Sequence, residues 1–210
     1  MIAPVQAGLL TSDDSIISPS VIDFSAFNGT FSYTGGPISV GSSLGRDISW
    51  QSSYGSSVIG AGGYDLGGNG LWNNTKTFTG LVTDNGFMTF SFNDGPMSAV
   101  GGFMNYFATG NETVLIEALA ADNSVLESYN ISQLAPIQTS GGTNEGGFRG
   151  IMRNVADIFG FRVWNSRVVL DDLTFSDHVS PPDVNPDANR VPEPNLFALL
   201  GLCLVGLGLM

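Results

Sequence analysis

The chain has 210 residues, of which 42% are hydrophobic and only 12% are charged. Seven Lys and Arg residues against nineteen Asp and Glu residues give a formal net charge of -12. The length predicts one domain with short appendages, and the hydrophobic content is sufficient for a buried core. The negative charge argues against nucleic acid or anionic lipid as a partner, because both require a basic surface.

The chain has one cysteine and one histidine, and neither is placed for catalysis in the body of the protein. Cys203 lies in a C-terminal apolar run, and His178 follows the last predicted strand. A zinc site of Cys and His is therefore excluded. A Ser-His-Asp mechanism would depend on a histidine at the start of a linker, so an enzyme built on this chain would have to use carboxylates.

The body, residues 8–178, shows short alternating strands separated by polar turns. The first, 21–27, ends at Asn28 and Gly29, which form a strong turn signal. We expect 114–120 and 125–131 to form a hairpin, and 158–164 to pair with 168–175 through a turn at Asn165 and Ser166. The spacing predicts an all-β antiparallel sandwich. The remaining predicted strands are 87–92 and 100–107.

A glycine-rich segment, residues 35–72, is interleaved with four aromatic side chains. Aromatic rings on a glycine-rich surface are suited to stacking on sugar rings, because one face of a pyranose is apolar. This interpretation predicts that the rings are exposed and bind a carbohydrate. The alternative is that the tryptophans are core residues, which predicts buried rings. The four residues are Trp50, Tyr54, Tyr64 and Trp72.

Two carboxylates fall within strand patterns. Strict alternation over 168–175 places Asp171 on the same face as Val169, Leu173 and Phe175, where an unpaired carboxylate is costly. Asp23 lies between two apolar residues in the first predicted strand. If the first and last strands are neighbours, the two carboxylates form a candidate Ca2+ site. Hydrogen bonds from loop backbone are the alternative.

The C-terminal 20 residues carry a specific pattern. Val191, Pro192, Glu193 and Pro194 are followed, after Asn195, by an uncharged apolar run over 196–210. This arrangement resembles the PEP-CTERM sorting signal of exported proteins in Gram-negative bacteria that make exopolysaccharide. The resemblance implies that the apolar segment enters the membrane as a C-terminal apolar helix, and that an exosortase processes the protein near the Pro-Glu-Pro motif. The Arg-rich cluster that ends the family's signal is not present after the run, which is a departure from that pattern.

The ends of the chain define the expected domain boundaries. Residues 5–7, Val-Gln-Ala, fit the small-x-small rule for signal-peptidase cleavage, so we interpret 1–7 as a signal-peptide remnant. The β-sandwich then covers 8–178, a Pro/Asp-rich linker covers 179–191, and the sorting and membrane segment covers 192–210.

Short motifs in the body also resemble other PEP-CTERM proteins, whose bodies look like galactose-binding or lectin-like jelly rolls. These motifs are residues 22–24, 148–151 and 168–176. The resemblance implies a jelly-roll-like sandwich and, more weakly, a carbohydrate ligand.

The sequence thus predicts an exported, non-catalytic protein of the cell surface or extracellular matrix, associated with carbohydrate or biofilm. A purely structural matrix protein is one alternative. A glycoside hydrolase or lyase is the other, and it would need two carboxylates about 5–9.5 Å apart in a cleft. No spacing selects such a pair among the available residues, which are Asp65, Asp84, Asp94, Glu117, Glu145, Asp157 and Asp171.

Overall fold

A computed structural model describes residues 8–107 and 113–179, which form two antiparallel β-sheets and a small hairpin. The sequence-predicted signal-peptide remnant (1–7), most of the linker and the sorting segment (192–210) lie outside the described residues. Within the described residues, no helix is long and apolar enough to cross a membrane.

The described part contains sixteen strands and one short α-helix. Strands in the first half are β1 (Gly8–Leu10), β2 (Ser20–Ile22), β3 (Ser32–Tyr33), β4 (Ile38–Ser39), β5 (Ile48–Ser52), β6 (Val58–Ala61), β7 (Tyr64–Asp65), β8 (Leu71–Trp72) and β9 (Thr77–Leu81). Those in the second half are β10 (Phe87–Phe92), β11 (Ala99–Tyr106), β12 (Leu115–Leu119), β13 (Val125–Asn130), β14 (Gly147–Met152), β15 (Gly160–Trp164) and β16 (Val168–Ser176). The helix α1 is Ile131–Leu134, and short 3-10 turns cover Ser25–Phe27 and Ser42–Leu44.

The larger sheet has eight strands in the order β1-β14-β11-β16-β9-β6-β3, with β2 also paired to β16. The smaller sheet has six strands in the order β13-β12-β15-β10-β5-β4. The hairpin β7-β8 forms a separate two-stranded sheet. All ladders between these strands are antiparallel, so the all-β antiparallel prediction is confirmed.

The main core lies between the two sheets. In β10 the buried residues alternate with half-buried ones, which is the period-2 pattern of a strand with one face on a core. Its inward side chains Met88, Phe90 and Phe92 pack with Leu170 and Phe175 of β16 and with apolar residues from both sheets. Burial of this continuous cluster is the main favourable term in the stability of the sandwich.

A second, smaller core lies on the opposite face of the larger sheet. Val58 of β6, Phe78 of β9 and Val169 of β16 alternate with residues of the main core and therefore point away from it. The β7-β8 hairpin supplies Tyr64 and Trp72 to cover them. The second half of the glycine-rich segment is thus a structural cover for this sheet face.

Several strand predictions are confirmed and one pairing is wrong. β10 has the predicted bounds, and β12 and β13 pair as the predicted hairpin. The strands at 158–164 and 168–175 do not pair, because β15 belongs to the smaller sheet and β16 to the larger one. The turn at Asn165 and Ser166, both with positive φ, crosses between the two sheets. The predicted adjacency of the first and last strands is found, since β2 pairs with β16.

A β-bulge in β16 corrects the predicted face of Asp171. Gly101 pairs with Thr174 and Phe103 pairs with Asp171, so three steps along β16 oppose two along β11. The extra residue is Asp172, whose φ is 49°. A bulge reverses the alternation beyond it, so Asp171 shares a face with Val169 but not with the core residues Leu173 and Phe175.

Candidate functional site

The four aromatic residues predicted to bind sugars do not form an exposed surface. Trp50 lies in the main core, and Trp72 and Tyr64 lie in the smaller one. Trp72 packs against Phe78 and Phe103, and its Nε1–H group donates to the carbonyl of Glu145 at 2.8 Å. The expectation of exposure is wrong for these three rings, because they fill space between or above the sheets. 

Both the ring and the hydroxyl group of Tyr64 make contacts inside the fold. The hydroxyl donates to the carbonyl of Leu81 at 2.7 Å, and burial raises the pKa of Tyr64 far above its usual value. Of the four predicted rings, Tyr54 alone is exposed, with 43% of its surface accessible.

The predicted calcium site is replaced by an ion pair. Lys76 Nζ lies 2.7 Å from Asp171 Oδ2, and the N–H group of Asp172 donates to Oδ1 at 2.8 Å. Asp23 is exposed and accepts hydrogen bonds from the N–H and hydroxyl groups of Ser25, which lower its pKa. Among the described residues, no cluster of three or more Asp, Glu, His or Cys could hold a metal ion. The positively charged partner of Asp171 is therefore Lys76, in the place where the sequence predicts a calcium ion.

The carboxylates considered for an enzyme are mostly engaged in ion pairs. Five of the seven have a basic partner within 4.0 Å. Glu117 also accepts a short hydrogen bond from Nε1 of Trp164 on the outward face of the smaller sheet. The five pairs are Asp94 with Arg46, Asp171 with Lys76, Asp157 with Arg153, Glu117 with Arg162 and Asp84 with Arg167.

A groove at the edge of the larger sheet is the best candidate for a ligand site. Tyr33, in the edge strand β3, is 70% exposed and packs edge to face against Phe31 at a centroid distance of 6.3 Å. Two adjoining cavities of about 210 and 510 Å³ share Phe31, Tyr33 and Gly63 as walls. Sites for small molecules have volumes of about 300–1,000 Å³, so the groove has a suitable size.

The polar groups of the groove lie on both sides of the aromatic pair. Asn28, Thr30 and Asn74 line the larger cavity, and Asp65 and Arg167 line the smaller one. Amide, hydroxyl and guanidinium groups supply both donors and acceptors. An exposed aromatic face with such groups around it can hold a sugar ring through apolar contact and hydrogen bonds.

The glycine at position 62 allows the chain to pass close to the aromatic pair. A Cβ atom at Gly62 would collide with the ring of Phe31, so a larger residue would displace that ring. Phe31 is in turn fixed by an edge-to-face contact with Phe78 at 5.2 Å. The groove wall is therefore anchored to the smaller core, whereas Tyr33 remains free to contact a ligand.

Tyr33 and Phe31 were missed by the sequence interpretation. Both lie just before the glycine-rich segment: Tyr33 is in a strand of only two residues, which shows no alternating pattern, and Phe31 directly precedes that strand. The available signal was the sequence Phe-Ser-Tyr following the Asn28-Gly29 turn, which places two aromatic residues on one side of an extended chain.

No family model and no curated protein matches the chain. Among solved structures, one similar chain is a mutant of the lectin binding domain of Lectinolysin complexed with Lewis b. It has 11% sequence identity and a TM-score of 0.37, and the match covers 64% of this chain and 94% of that one. Another is CsCBM6-3 from Clostridium stercorarium in complex with cellobiose, with 16% identity and a TM-score of 0.33, over 72% and 95% of the two chains. Similarity at this level says nothing about what this chain binds.

Proposed function

We propose that this protein is a non-catalytic, jelly-roll-like β-sandwich that binds polysaccharide weakly through the Tyr33 groove. The observation that carries the proposal is the exposed ring of Tyr33, which stands beside Phe31 in a groove lined by amide and hydroxyl groups. An exposed tyrosine costs solvation free energy that contact with the apolar face of a sugar would recover. The groove contains few charges, so neutral sugars are the favoured ligands.

Affinity electrophoresis in native gels containing neutral and uronate-rich polysaccharides tests this proposal. Tyr33→Ala should weaken retardation about fivefold, since one ring contributes ~1 kcal/mol. Tyr54→Ala is the matched control, because Tyr54 is also an exposed tyrosine but does not line the groove. Loss of binding in Tyr54→Ala alone would place the site elsewhere, and no retardation by any polysaccharide would favour a purely structural matrix protein.

The same samples test the enzyme alternative. We propose no catalysis, because five of the seven candidate carboxylates are engaged in ion pairs with basic side chains. Release of reducing ends from any of the polysaccharides would contradict this and would revive a carboxylate-dependent hydrolase or lyase.

We further propose that the protein is exported and sorted to the cell surface or matrix, in a polysaccharide-rich or biofilm setting. The support is the Val-Pro-Glu-Pro motif at 191–194 with the apolar run after it. An exosortase-type enzyme and the membrane are the expected partners. Substitution of Pro192 and Glu193 by alanine should leave the protein unprocessed in a host with an exosortase, and unchanged processing would contradict the proposal.

A further inference from the structure

The ion pair between Lys76 and Asp171 is one of the two least exposed ion pairs among the described residues, together with that of Arg162 and Glu117. Lys76 is the single lysine among the seven Lys and Arg residues, yet its side chain is only 19% exposed and that of Asp171 only 7%. Lysine is strongly hydrated and is rarely placed in an interior. A buried ion pair often stabilises less than an apolar pair of the same size, because both charges lose their hydration.

The surroundings of the lysine nitrogen are apolar and aromatic. Nζ lies 4.8 Å from the ring centre of Phe103 and 5.2 Å from that of Trp72, and these two rings are stacked on each other. Val169 lies on the same face of the larger sheet. The site therefore places an amine and a carboxyl group together in a poorly solvated environment.

We propose that Lys76 and Asp171 condense to form an intramolecular isopeptide bond. A proton first moves from the Nζ ammonium group to Oδ2 of Asp171, which gives a neutral amine and a neutral carboxylic acid. The amine then attacks Cγ of Asp171, the Cγ–Oδ2 bond breaks, and one water molecule leaves with the proton that Nζ gives up. The product is a neutral amide between the two side chains.

The carboxyl group of Asp171 is prepared for this reaction. Burial raises the pKa of Asp171 to about 6, even though Lys76 acts to lower it, so its neutral form is accessible near neutral pH. The Asp172 N–H donates to Oδ1 at 2.8 Å, and Oδ1 is the oxygen that gains negative charge when the amine adds to Cγ. The bulge at Asp172 thus supplies a fixed donor where charge develops.

The lysine is also held in place before the reaction. The backbone N–H group of Lys76 donates to the carbonyl of Asn73 at 3.0 Å and closes the turn between β8 and β9. Asn144 accepts from the N–H group of Asn73 and donates to the side chains of Asn73 and Thr75. Well-oriented intramolecular groups reach effective concentrations of about 10⁵–10⁸ M, which favours a condensation that would not proceed between free molecules in water.

The proposed bond would link the turn before β9 to the last strand of the larger sheet. The body of this chain has no cysteine and so no disulfide, and a covalent link of this kind would restrict the unfolded chain as a disulfide does. The inference is independent of glycan binding, because Lys76 does not line the groove.

Because the chain has one lysine, lysyl endopeptidase gives a direct test. The full chain is denatured and digested directly after purification, and again after incubation at about pH 6, near the pKa of Asp171. An isopeptide at Lys76 blocks cleavage at the one lysine, so the chain stays in one piece, and it lowers the intact mass by one water molecule. In Asp171→Ala the lysine cannot form the bond, so complete cleavage is expected whether or not this variant folds.

The mass of a second variant separates the isopeptide from other dehydrations. Lys76→Arg keeps a cation beside Asp171 but should show no loss of water. Complete cleavage of the wild-type chain after incubation overturns the proposal. A mass lower by one water molecule with Lys76 still cleavable also overturns it, because that result indicates a cyclic imide at another aspartate.

Discussion

The Nε–H group of Arg46 donates to Oδ2 of Asp94 at 2.6 Å and joins the loop before β5 to the loop after β10. The N–H group of Asp47 also donates to Oδ2, at 3.2 Å. The guanidinium group of Arg46 lies 5.7 Å from the ring centre of Phe175, at the edge of the main core. The pair therefore ties together one end of the sandwich, where the smaller sheet meets β16.

This relationship predicts how stability changes in acid. The hydrogen bond from Arg46 lowers the pKa of Asp94 below its usual 3.8. The contribution of the Asp94 carboxylate to the free energy of unfolding is therefore fully present above about pH 4. It is lost as the pH falls through the lower pKa of the folded state. Asp94→Asn should lower the free energy of unfolding by about 1 kcal/mol at pH 7 and by less near pH 3. Urea unfolding across this pH range measures the difference, with Asp13→Asn, at another exposed carboxylate, as the control, and an equal loss of stability at pH 7 and pH 3 in Asp94→Asn would contradict the prediction.

A buried and an exposed aromatic residue predict very different losses of stability on substitution by alanine. Trp72 is fully buried, so Trp72→Ala should lower the free energy of unfolding by about 3–5 kcal/mol. Tyr33 is largely exposed, so Tyr33→Ala should change it by less than about 0.5 kcal/mol. Urea unfolding of both variants tests this contrast. A stable Trp72→Ala protein would show that the β7-β8 hairpin does not pack on the larger sheet.

The β7-β8 hairpin also predicts a position where alanine is not tolerated. Gly70 has a φ of 88°, and a Cβ atom there would collide with the carbonyl of Gly142. Gly70→Ala should therefore destabilise the protein by well over about 1 kcal/mol. Gly68→Ala is the matched control in the same hairpin, because a Cβ at Gly68 meets no atom within 4 Å. Equal melting temperatures for the two variants would contradict the observed docking of this hairpin.

The sequence predicts the strands well where they alternate. β10 was predictable to the residue, because Met88, Phe90 and Phe92 face the core and the residues between them do not. The two-residue strand β3 was not predictable, since it is too short for a period, and Tyr33 was missed with it. The sequence leaves the burial of Trp50 and Trp72 open, because spacing among glycines shows neither which of these residues lie in strands nor which face of a sheet their rings cover.

The bulge in β16 had the largest effect on the predicted site. Alternation alone placed Asp171 with Leu173 and Phe175, and this led to the expectation of a calcium site. One extra residue in the strand turns Asp171 to the other face, where Lys76 is its partner. A single sequence does not show such a bulge, because Asp172 looks like any solvent-facing strand residue. The partner was also hidden, since Lys76 lies far from Asp171 in the sequence.

The backbone conformation at the bulge predicts how substitutions of Asp172 change the stability of the protein. Asp172 has a φ of 49°, a left-handed conformation that is costly for β-branched side chains and free of cost for glycine. Asp172→Val should therefore destabilise the protein by about 1–3 kcal/mol, whereas Asp172→Gly should be close to neutral or slightly stabilising. A strand of regular geometry predicts the reverse order, because valine favours strands and glycine weakens them. Urea unfolding of the two variants decides between these geometries, and a more stable valine variant would show that β16 is regular and that Asp171 faces the main core after all.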